Sequence, residues 1–410
     1  MSEASPFDVE ATRKDFPFLE REIRGQQVAF LDSAASSQKP RAVIDAVSEF
    51  YATSYANIHR GVYQLSAEAT EKYEGARDQV QHFLHAEDRR EIVFLRNATE
   101  AINLVARAWG DENLQPDDEI LITALEHHAN IVPWQMLSER RSCRLRVAPI
   151  DARGEIDLNA YESLLSERTK IVAITHVSNA IGTINPLPEM IAMAKARGIT
   201  VLVDGAQAVP HMNVDVKSLG CDFYTFSGHK LFAPSGIGVL YGCHSMLESM
   251  PPFLGGGDMI ETVTFEKSTY AKSPGKFEAG TPDIAGAIGL SAAIEYLKGF
   301  DQAQLERWET GLLTYAEKRL SELDGLRIIG NARNKAPVVS FVVDGVHPHD
   351  VGTALDQSGV SVRVGHHCAQ PLMEIFEVPA TVRASFSIFN TPSEIDRLTQ
   401  ALSETMEIFR

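Results

Sequence analysis

A chain of 410 residues is longer than one hydrophobic core usually organises, and with 44% of its residues hydrophobic it can bury a large one, so a globular protein of two domains is expected. Its 38 basic residues against 55 acidic ones leave a formal charge of −17, which repels phosphate backbones and anionic lipid and speaks against nucleic-acid or membrane-surface partners. The opening MSEASPFDVEATRKDFPFLE has no apolar leader core, and no run reaches the roughly 18 to 20 apolar residues of a membrane span, so a cytoplasmic protein is expected.

From about residue 90 to 245, short β-branched runs alternate with helical patterns. EIVFL precedes ATEAINLVARAW, EILIT precedes HANIVPWQMLSER, and KIVAIT precedes LPEMIAMAKARG; ITVLVD, DFYTF and GIGVLY follow. This rhythm predicts an α/β layer around a largely parallel sheet, whose strands are buried on both faces and therefore read as continuous apolar runs such as IVAI and VLV. Ligands of such folds collect at the carboxyl ends of the strands. After LSAAIEYLKGF the pattern changes to an amphipathic helix over 302–323, strands at GLRIIG and VVSFVV, a short helix near HDVGTALDQSG, strands at VSVRV and TVRASFSI, and a closing helix SEIDRLTQALSETMEIF. That is a smaller α+β domain. The expected division is 26–300 for the large domain, with 1–25 and 301–410 forming the small one.

Within the large domain, CDFYTFSGHKLFAPSGIGVLYG sets Lys230 in a Gly-flanked turn between two apolar strands. Such a lysine is either a solvated loop cation or a buried amine with a depressed pKa, the form that Schiff-base chemistry with a carbonyl or pyridoxal needs. Asp204 ends the strand of ITVLVDGAQAV, with Gln207 one turn on. It can cap the following helix, or pair with the pyridine nitrogen of pyridoxal phosphate. Ala98 and Thr99 open a helix after EIVFL, and Ser227 and His229 flank the lysine; backbone N–H groups and hydroxyls of this kind suit a phosphate, although a simple N-cap explains Thr99 equally well. His127 follows another strand end, where it can lie on a ring or serve as an ordinary structural histidine.

The four cysteines stand at 143, 221, 243 and 368, without a C-x-x-C pair, so neither a disulfide framework nor a zinc ribbon is indicated; three are expected as inert core thiols. The fourth lies in SVRVGHHCAQP, beside His366 and His367. Metal ligation, a redox thiol, a nucleophile and loop filler are each compatible with that run. Three adjacent ligands do not easily wrap one tetrahedral ion and no second ligand cluster is apparent, so no metal is expected.

Taken together, LDSAA (31–35), HRG (59–61), EHHANIVPWQM (126–136), THVSNAIGT (175–183), VDGAQAV (203–209), FSGHKLFAPSGIGVLYG (226–242), FEAGTP (277–282), GHHCAQP (365–371) and RASF (383–386) resemble the group II, SUF-type cysteine desulfurases and the related selenocysteine lyases, within the class V aminotransferase-like pyridoxal phosphate enzymes. The resemblance runs from about Phe16 to the carboxyl end. It implies a pyridoxal phosphate-dependent transferase of fold type I: α/β, a large domain with a mostly parallel seven-stranded sheet between helices, and a smaller α+β domain.

Residue by residue, the resemblance implies that Lys230 forms the Schiff base, Asp204 pairs with the pyridine nitrogen, Gln207 and Asn179 contact the phenolic oxygen or the substrate, and His127 stacks on the ring. Thr99, Ser227 and His229 hold the phosphate, with Ala98 offering only its backbone N–H because Asn97-Ala98 replaces the family's usual Gly-Thr. Arg383 forks onto the substrate α-carboxylate, a task that planar guanidinium donors suit. Family members are homodimers with sites at the subunit boundary, so Thr281 reaches the partner's phosphate and His59 and Arg60 act near that boundary. Cys368, as a thiolate, takes the sulfur of L-cysteine as a persulfide and releases L-alanine. His366, His367 and Arg363 supply positive or donating surroundings to that thiol. The persulfide then passes to a small sulfur-acceptor protein for iron–sulfur cluster assembly. The alternatives are L-selenocysteine lysis as the main activity, or an aminotransferase in which Cys368 is incidental.

Overall fold

Seven strands with few charged residues make the central sheet of the structure, a computed structural model that describes residues 7–409. They are β1 (Ile92–Leu95), β2 (Glu119–Thr123), β3 (Arg144–Ala148), β4 (Thr169–Thr175), β5 (Thr200–Asp204), β6 (Phe223–Ser227) and β7 (Gly238–Gly242), in the order β1-β7-β6-β5-β4-β2-β3. β7 alone runs against the others. Alternate residues of each strand enter opposite cores: Leu121, Val172 and Val203 face one, while Ile122, Ile171 and Leu202 face the other. Because both faces are covered, a strand such as IVAI needs no polar side.

On the first face lie α1 (Gln64–Phe83), α4 (Leu187–Lys195) and α5 (Ile284–Lys298), through residues such as Tyr73, Ile191 and Leu290. α2 (Ala98–Leu104) and α3 (Val132–Arg141) cover the second, through Ile102 and Trp134. The strand RLRVA, β3, escaped the sequence reading because it is the sheet edge: of its five residues only Ala148 is buried, so no apolar run announces it.

The smaller unit is an antiparallel sheet of β8 (Leu326–Ile329), β9 (Val338–Val343), β10 (Arg363–Gly365) and β11 (Thr381–Ser385), ordered β8-β9-β11-β10. α6 (Gln302–Ser321), α7 (Pro348–Gln357) and α8 (Pro392–Phe409) close over it with Leu312, Leu355 and Leu398 in the core. VSVRV, expected as one strand, is divided. Val360–Ser361 pairs in parallel with Ala29–Phe30, and only the residues from Arg363 onward join the sheet. Ala29 and Leu31 are thereby buried in the smaller core, whereas Phe16 and Leu19 pack into the larger one.

Strand register lines up the carboxyl ends that matter. Thr175 on β4 sits opposite Asp204 on β5, and Asp204 opposite Thr225 on β6. Directly after Asp204 the chain passes over the ring of Tyr224, so close that a Cβ on Gly205 would lie 2.1 Å from its atoms. Only glycine fits there. Gly205→Ala is therefore expected to destabilise the protein by about 1–3 kcal/mol, the usual penalty for overpacking, read as a lower midpoint in urea unfolding.

Candidate active site

The carboxyl ends of β4, β5 and β6 open into one cleft, closed on the other side by β10, β11 and the segment between β10 and the short helix Gln370–Ile375. Lys230, Asp204, Gln207, Asn179, His127, Ala98, Thr99, Ser227, His229, Arg363, His367, Cys368 and Arg383 all line it. Thirteen of the seventeen residues singled out in the sequence thus meet in a single cavity.

Its floor is Asp204 and Lys230. Asp204 is 5% exposed, and its carboxylate accepts one protein hydrogen bond, from the Ala206 N–H at 3.0 Å. Burial raises its pKa, against the pull of that N–H and of Lys230. Lys230 stands on a single tight turn, Gly228–Lys230, immediately after β6. Burial lowers its pKa to about 8, and Asp204 holds it from falling further. The peptide carrying this lysine is clamped: the His229 carbonyl accepts from the Ser37 N–H at 3.1 Å, the Ser37 hydroxyl at 3.1 Å and the Lys39 ammonium at 3.0 Å.

Arg383, 1% exposed, reaches in from β11. One Nη donates to the Asn179 carbonyl at 2.7 Å and the other to Asp32 at 3.2 Å, while Nε is buried without a partner. Asn179 donates Nδ2 to the His367 carbonyl at 2.6 Å and leaves its Oδ1 unpartnered. A buried guanidinium N–H and a buried amide oxygen, both unsatisfied, mark a polar ligand site. Burial lowers the pKa of Arg383 to about 10, with Asp32 opposing the shift.

His127 accepts the Ala129 N–H on Nδ1 at 3.0 Å, so its proton belongs on Nε2. Burial and then Lys230 push its pKa down to about 3, and the ring is neutral. At the other end Ser227 Oγ accepts the Ala98 N–H at 2.9 Å. Asn97 caps α2 by accepting the Glu100 N–H at 2.9 Å, so the departure at 97 and 98 leaves the helix start intact. Gly238 makes room for it, since a Cβ there would come within 2.4 Å of Asn97 Cα. A buried carboxylate with a single protein donor, a lysine of lowered pKa and a hydroxyl-lined helix start form a set that fits pyridoxal phosphate.

The cysteine sits on the cleft rim. Cys368 is exposed, and both it and His367 adopt left-handed backbone (φ 54° each), which costs roughly 1–2 kcal/mol per residue outside glycine. Four bonds hold this shape. Asn179 takes the His367 carbonyl, the His128 N–H donates to the Cys368 carbonyl at 2.7 Å, His128 Nε2 accepts the Gln370 N–H at 3.1 Å, and the Ala369 N–H returns to the His366 carbonyl at 2.9 Å. The His367 ring points inward to the Thr381 hydroxyl at 2.8 Å, and burial followed by Arg383 lowers its pKa to about 3. It brings no positive charge to the thiol. His366 and Arg363 are exposed beside it.

Residues 29–398 match the family described as aminotransferase class-V. The chain belongs to that family. Among curated class-V relatives, a cysteine desulfurase of Yersinia pestis (strain Pestoides F) is 49% identical over 397 residues, covering 97% of this chain and 98% of its own. A cysteine desulfurase of Synechococcus elongatus is 50% identical over 97% of this chain, which spans 63% of that relative's length. Among solved structures, the cysteine desulfurase CsdA (S-sulfonic acid) from Escherichia coli superposes with a TM-score of 0.92 at 40% identity, over 99% of this chain and 100% of that one. The apo cysteine desulfurase from Thermococcus onnurineus NA1 gives 0.92 at 39%, with the same coverage.

Four residues named from the resemblance do not line the cleft: the exposed His366 beside the thiol, and three that lie elsewhere. Thr281 lines a second cavity with Tyr73, Phe94 and Glu278. His59 bonds Glu74 at 3.0 Å, and Arg60 pairs with Asp258 at 3.3 Å. Conversely, Asp32, Glu126 and His128 belong to the site and were not assigned, although LDSAA and EHHAN contain them. Glu126 is fully enclosed, takes hydrogen bonds from Thr123 and Asn130 at 2.6 Å each and from the Thr175 N–H at 3.0 Å, and has its pKa raised by burial to about 8. It ties the His127 turn to the end of β4.

The lowered pKa of Lys230 has a directly measurable consequence. Between about 8 and 10.5 the unfolded chain binds a proton that the folded chain has lost, so the contribution of Lys230 to stability rises with pH across that window. In the cofactor-free protein, acetylation of Lys230 followed by mass spectrometry is expected to reach half its plateau rate near pH 8, whereas surface lysines go on accelerating toward pH 10 or so.

Proposed function

We propose that the protein is a pyridoxal phosphate-dependent cysteine desulfurase, converting L-cysteine to L-alanine while Cys368 takes the sulfur. One observation carries this reading: the exposed Cys368 thiol stands on the rim of the same cleft whose floor is Lys230 and Asp204 and whose wall is Arg383. An aminotransferase has no use for a thiol held there by four loop bonds.

When bound, the cofactor supplies an electron sink that acidifies the Cα–H of the substrate. Asp204 would face its pyridine nitrogen, Gln207 its phenolic oxygen, and Ser227, His229, Thr99 and the Ala98 N–H its phosphate. Arg383, through its unpartnered Nε, and Asn179, through its unpartnered Oδ1, orient the substrate. The neutral amine of Lys230 takes the Cα proton. His127, neutral and protonated on Nε2, moves protons as the C–S bond breaks. The thiolate of Cys368 forms an S–S bond with the departing sulfur and the β-carbon gains a proton, so cysteine plus thiol become alanine plus persulfide. L-selenocysteine is proposed as a second substrate, since its chalcogen is a better leaving group on the same skeleton.

The short, tethered cysteine loop supports a group II, SUF-type assignment, with a small sulfur-acceptor protein collecting the persulfide for iron–sulfur cluster assembly. Exposed Tyr51, Tyr55, Val62 and Tyr63 near His59 and Arg60, and the exposed Phe265 between Ile260–Val263 and Ser268–Tyr270, support a homodimer in which Thr281 serves the partner's site. None of the described helices is long and apolar enough to cross a membrane, and all four cysteines are free, which supports a cytoplasmic setting.

Incubation with L-cysteine and peptide mass spectrometry is expected to find one added sulfur on the peptide containing residue 368. Cys368→Ala should retain the cofactor and lose both persulfide and alanine formation, by at least about 100-fold, within the scale on which loss of a nucleophile acts; an unchanged alanine rate would show that this thiol is not needed for C–S cleavage and does not take the sulfur. In Lys230→Ala, borohydride should no longer fix the cofactor to the chain. Fixation to another lysine contradicts the assignment.

A further inference from the structure

Asp32 is an anion standing where an anion is to bind. Its Oδ1 lies 3.2 Å from Arg383 Nη2 and its Oδ2 3.6 Å from Arg363 Nη1, so one carboxylate bridges the two arginines of the cleft. Its backbone is held in place. The Ser385 N–H donates to the Leu31 carbonyl at 2.9 Å and the Ala34 N–H to the Ser385 hydroxyl at 2.9 Å, gripping the backbone on both sides of Asp32 against β11, two residues beyond Arg383. Residues i and i+2 of a strand share a face, so the grip and the guanidinium are neighbours by construction. Burial raises the pKa of Asp32 while both arginines oppose the shift, which shows a carboxylate incompletely compensated by its partners.

The guanidinium nevertheless keeps capacity. Nε is buried and unpartnered, and Nη2, on the same fork edge, is the atom shared with Asp32. A ligand carboxylate that docks in two parallel bonds on the Nε–Nη2 edge must share Nη2 with the Asp32 carboxylate. Arg363 and Arg383 carry two positive charges and Asp32 removes one, so the subsite presents a single net positive charge to a single carboxylate.

We propose that Asp32 is a built-in competitor for the carboxylate subsite, a residue that weakens the hold of Arg383 on the α-carboxylate of substrate and product alike. The inference rests on the reading of Arg383 given under Proposed function. Its consequence is that L-alanine, which keeps the carboxylate but lacks the sulfur, is released rather than retained. An aspartate acting only to position Arg383 makes the opposite prediction, because loss of its charge then loosens the arginine and weakens anion binding.

The deciding experiment titrates L-alanine into the holoenzyme and follows the change in cofactor absorbance, for the parent, Asp32→Asn and Arg383→Ala, at low and high salt. Asp32→Asn retains an acceptor for the arginine and removes only the charge. It is expected to bind L-alanine about tenfold more tightly, as relief of repulsion between two carboxylates on one guanidinium predicts, with the gain largely kept as salt rises because the charges meet in a buried cleft. It should also lower KM for L-cysteine and increase inhibition by L-alanine. Equal or weaker L-alanine binding by Asp32→Asn, with binding lost in Arg383→Ala, overturns the proposal and leaves the role of Arg383 standing. Unchanged binding in Arg383→Ala overturns that role itself. Should Asp32→Asn fail to fold, Asp32→Ser is read by the same criterion.

Discussion

A lysine and a carboxylate share one desolvated floor at the carboxyl ends of parallel strands, and the rest of the site is arranged around their mutual electrostatics. Burial drives Lys230 toward its neutral form and raises the pKa of Asp204, and each moderates the other. The register Thr175–Asp204–Thr225 places the two groups, because β5 ends on the aspartate and β6 runs directly into the lysine's turn. The same low-dielectric setting keeps His127 and His367 uncharged. A cleft with Arg383, Arg363 and Lys230 on its walls would otherwise collect two further cations. Their neutrality leaves positive charge concentrated on the arginines.

The cysteine loop follows a different logic. Two consecutive left-handed residues are unfavourable, and the chain adopts them because Asn179 and His128, both from loops at the ends of large-domain strands, capture the carbonyls of His367 and Cys368. The thiol is therefore placed by loops of the central sheet although its residue follows a strand of the smaller sheet. Preorganisation of this kind holds a side chain in one geometry without the entropic cost of ordering a mobile segment.

Much of this was legible in advance. Six of the seven strands are announced by apolar runs, because burial on both faces leaves no room for polar alternation; the edge strand Arg144–Ala148 is silent because it is exposed. The motif residues at strand ends converge as the resemblance implied. What the motifs did not disclose are contacts made across hundreds of residues. Asp32 meets Arg383, 351 positions away, and His128 meets Gln370, 242 away, and neither pairing leaves a local pattern. The direction of the His367 ring was equally hidden: three adjacent polar residues look alike in sequence, and only the Thr381 hydroxyl turns one of them inward.

The pairing of Ala29–Phe30 with Val360–Ser361, continued by Asp32 against Ser385, also constrains how the molecule is made. The segment that braces both the arginine and the lysine turn leaves the ribosome early, and its hydrogen-bonding partners at Val360–Ser361, Arg383 and Ser385 emerge more than three hundred residues later. At the 5–20 residues per second of translation, that interval is on the order of tens of seconds. The central sheet can assemble during it, but the reaction chamber has no finished wall until synthesis is nearly over, and a nascent chain stays chemically silent until then.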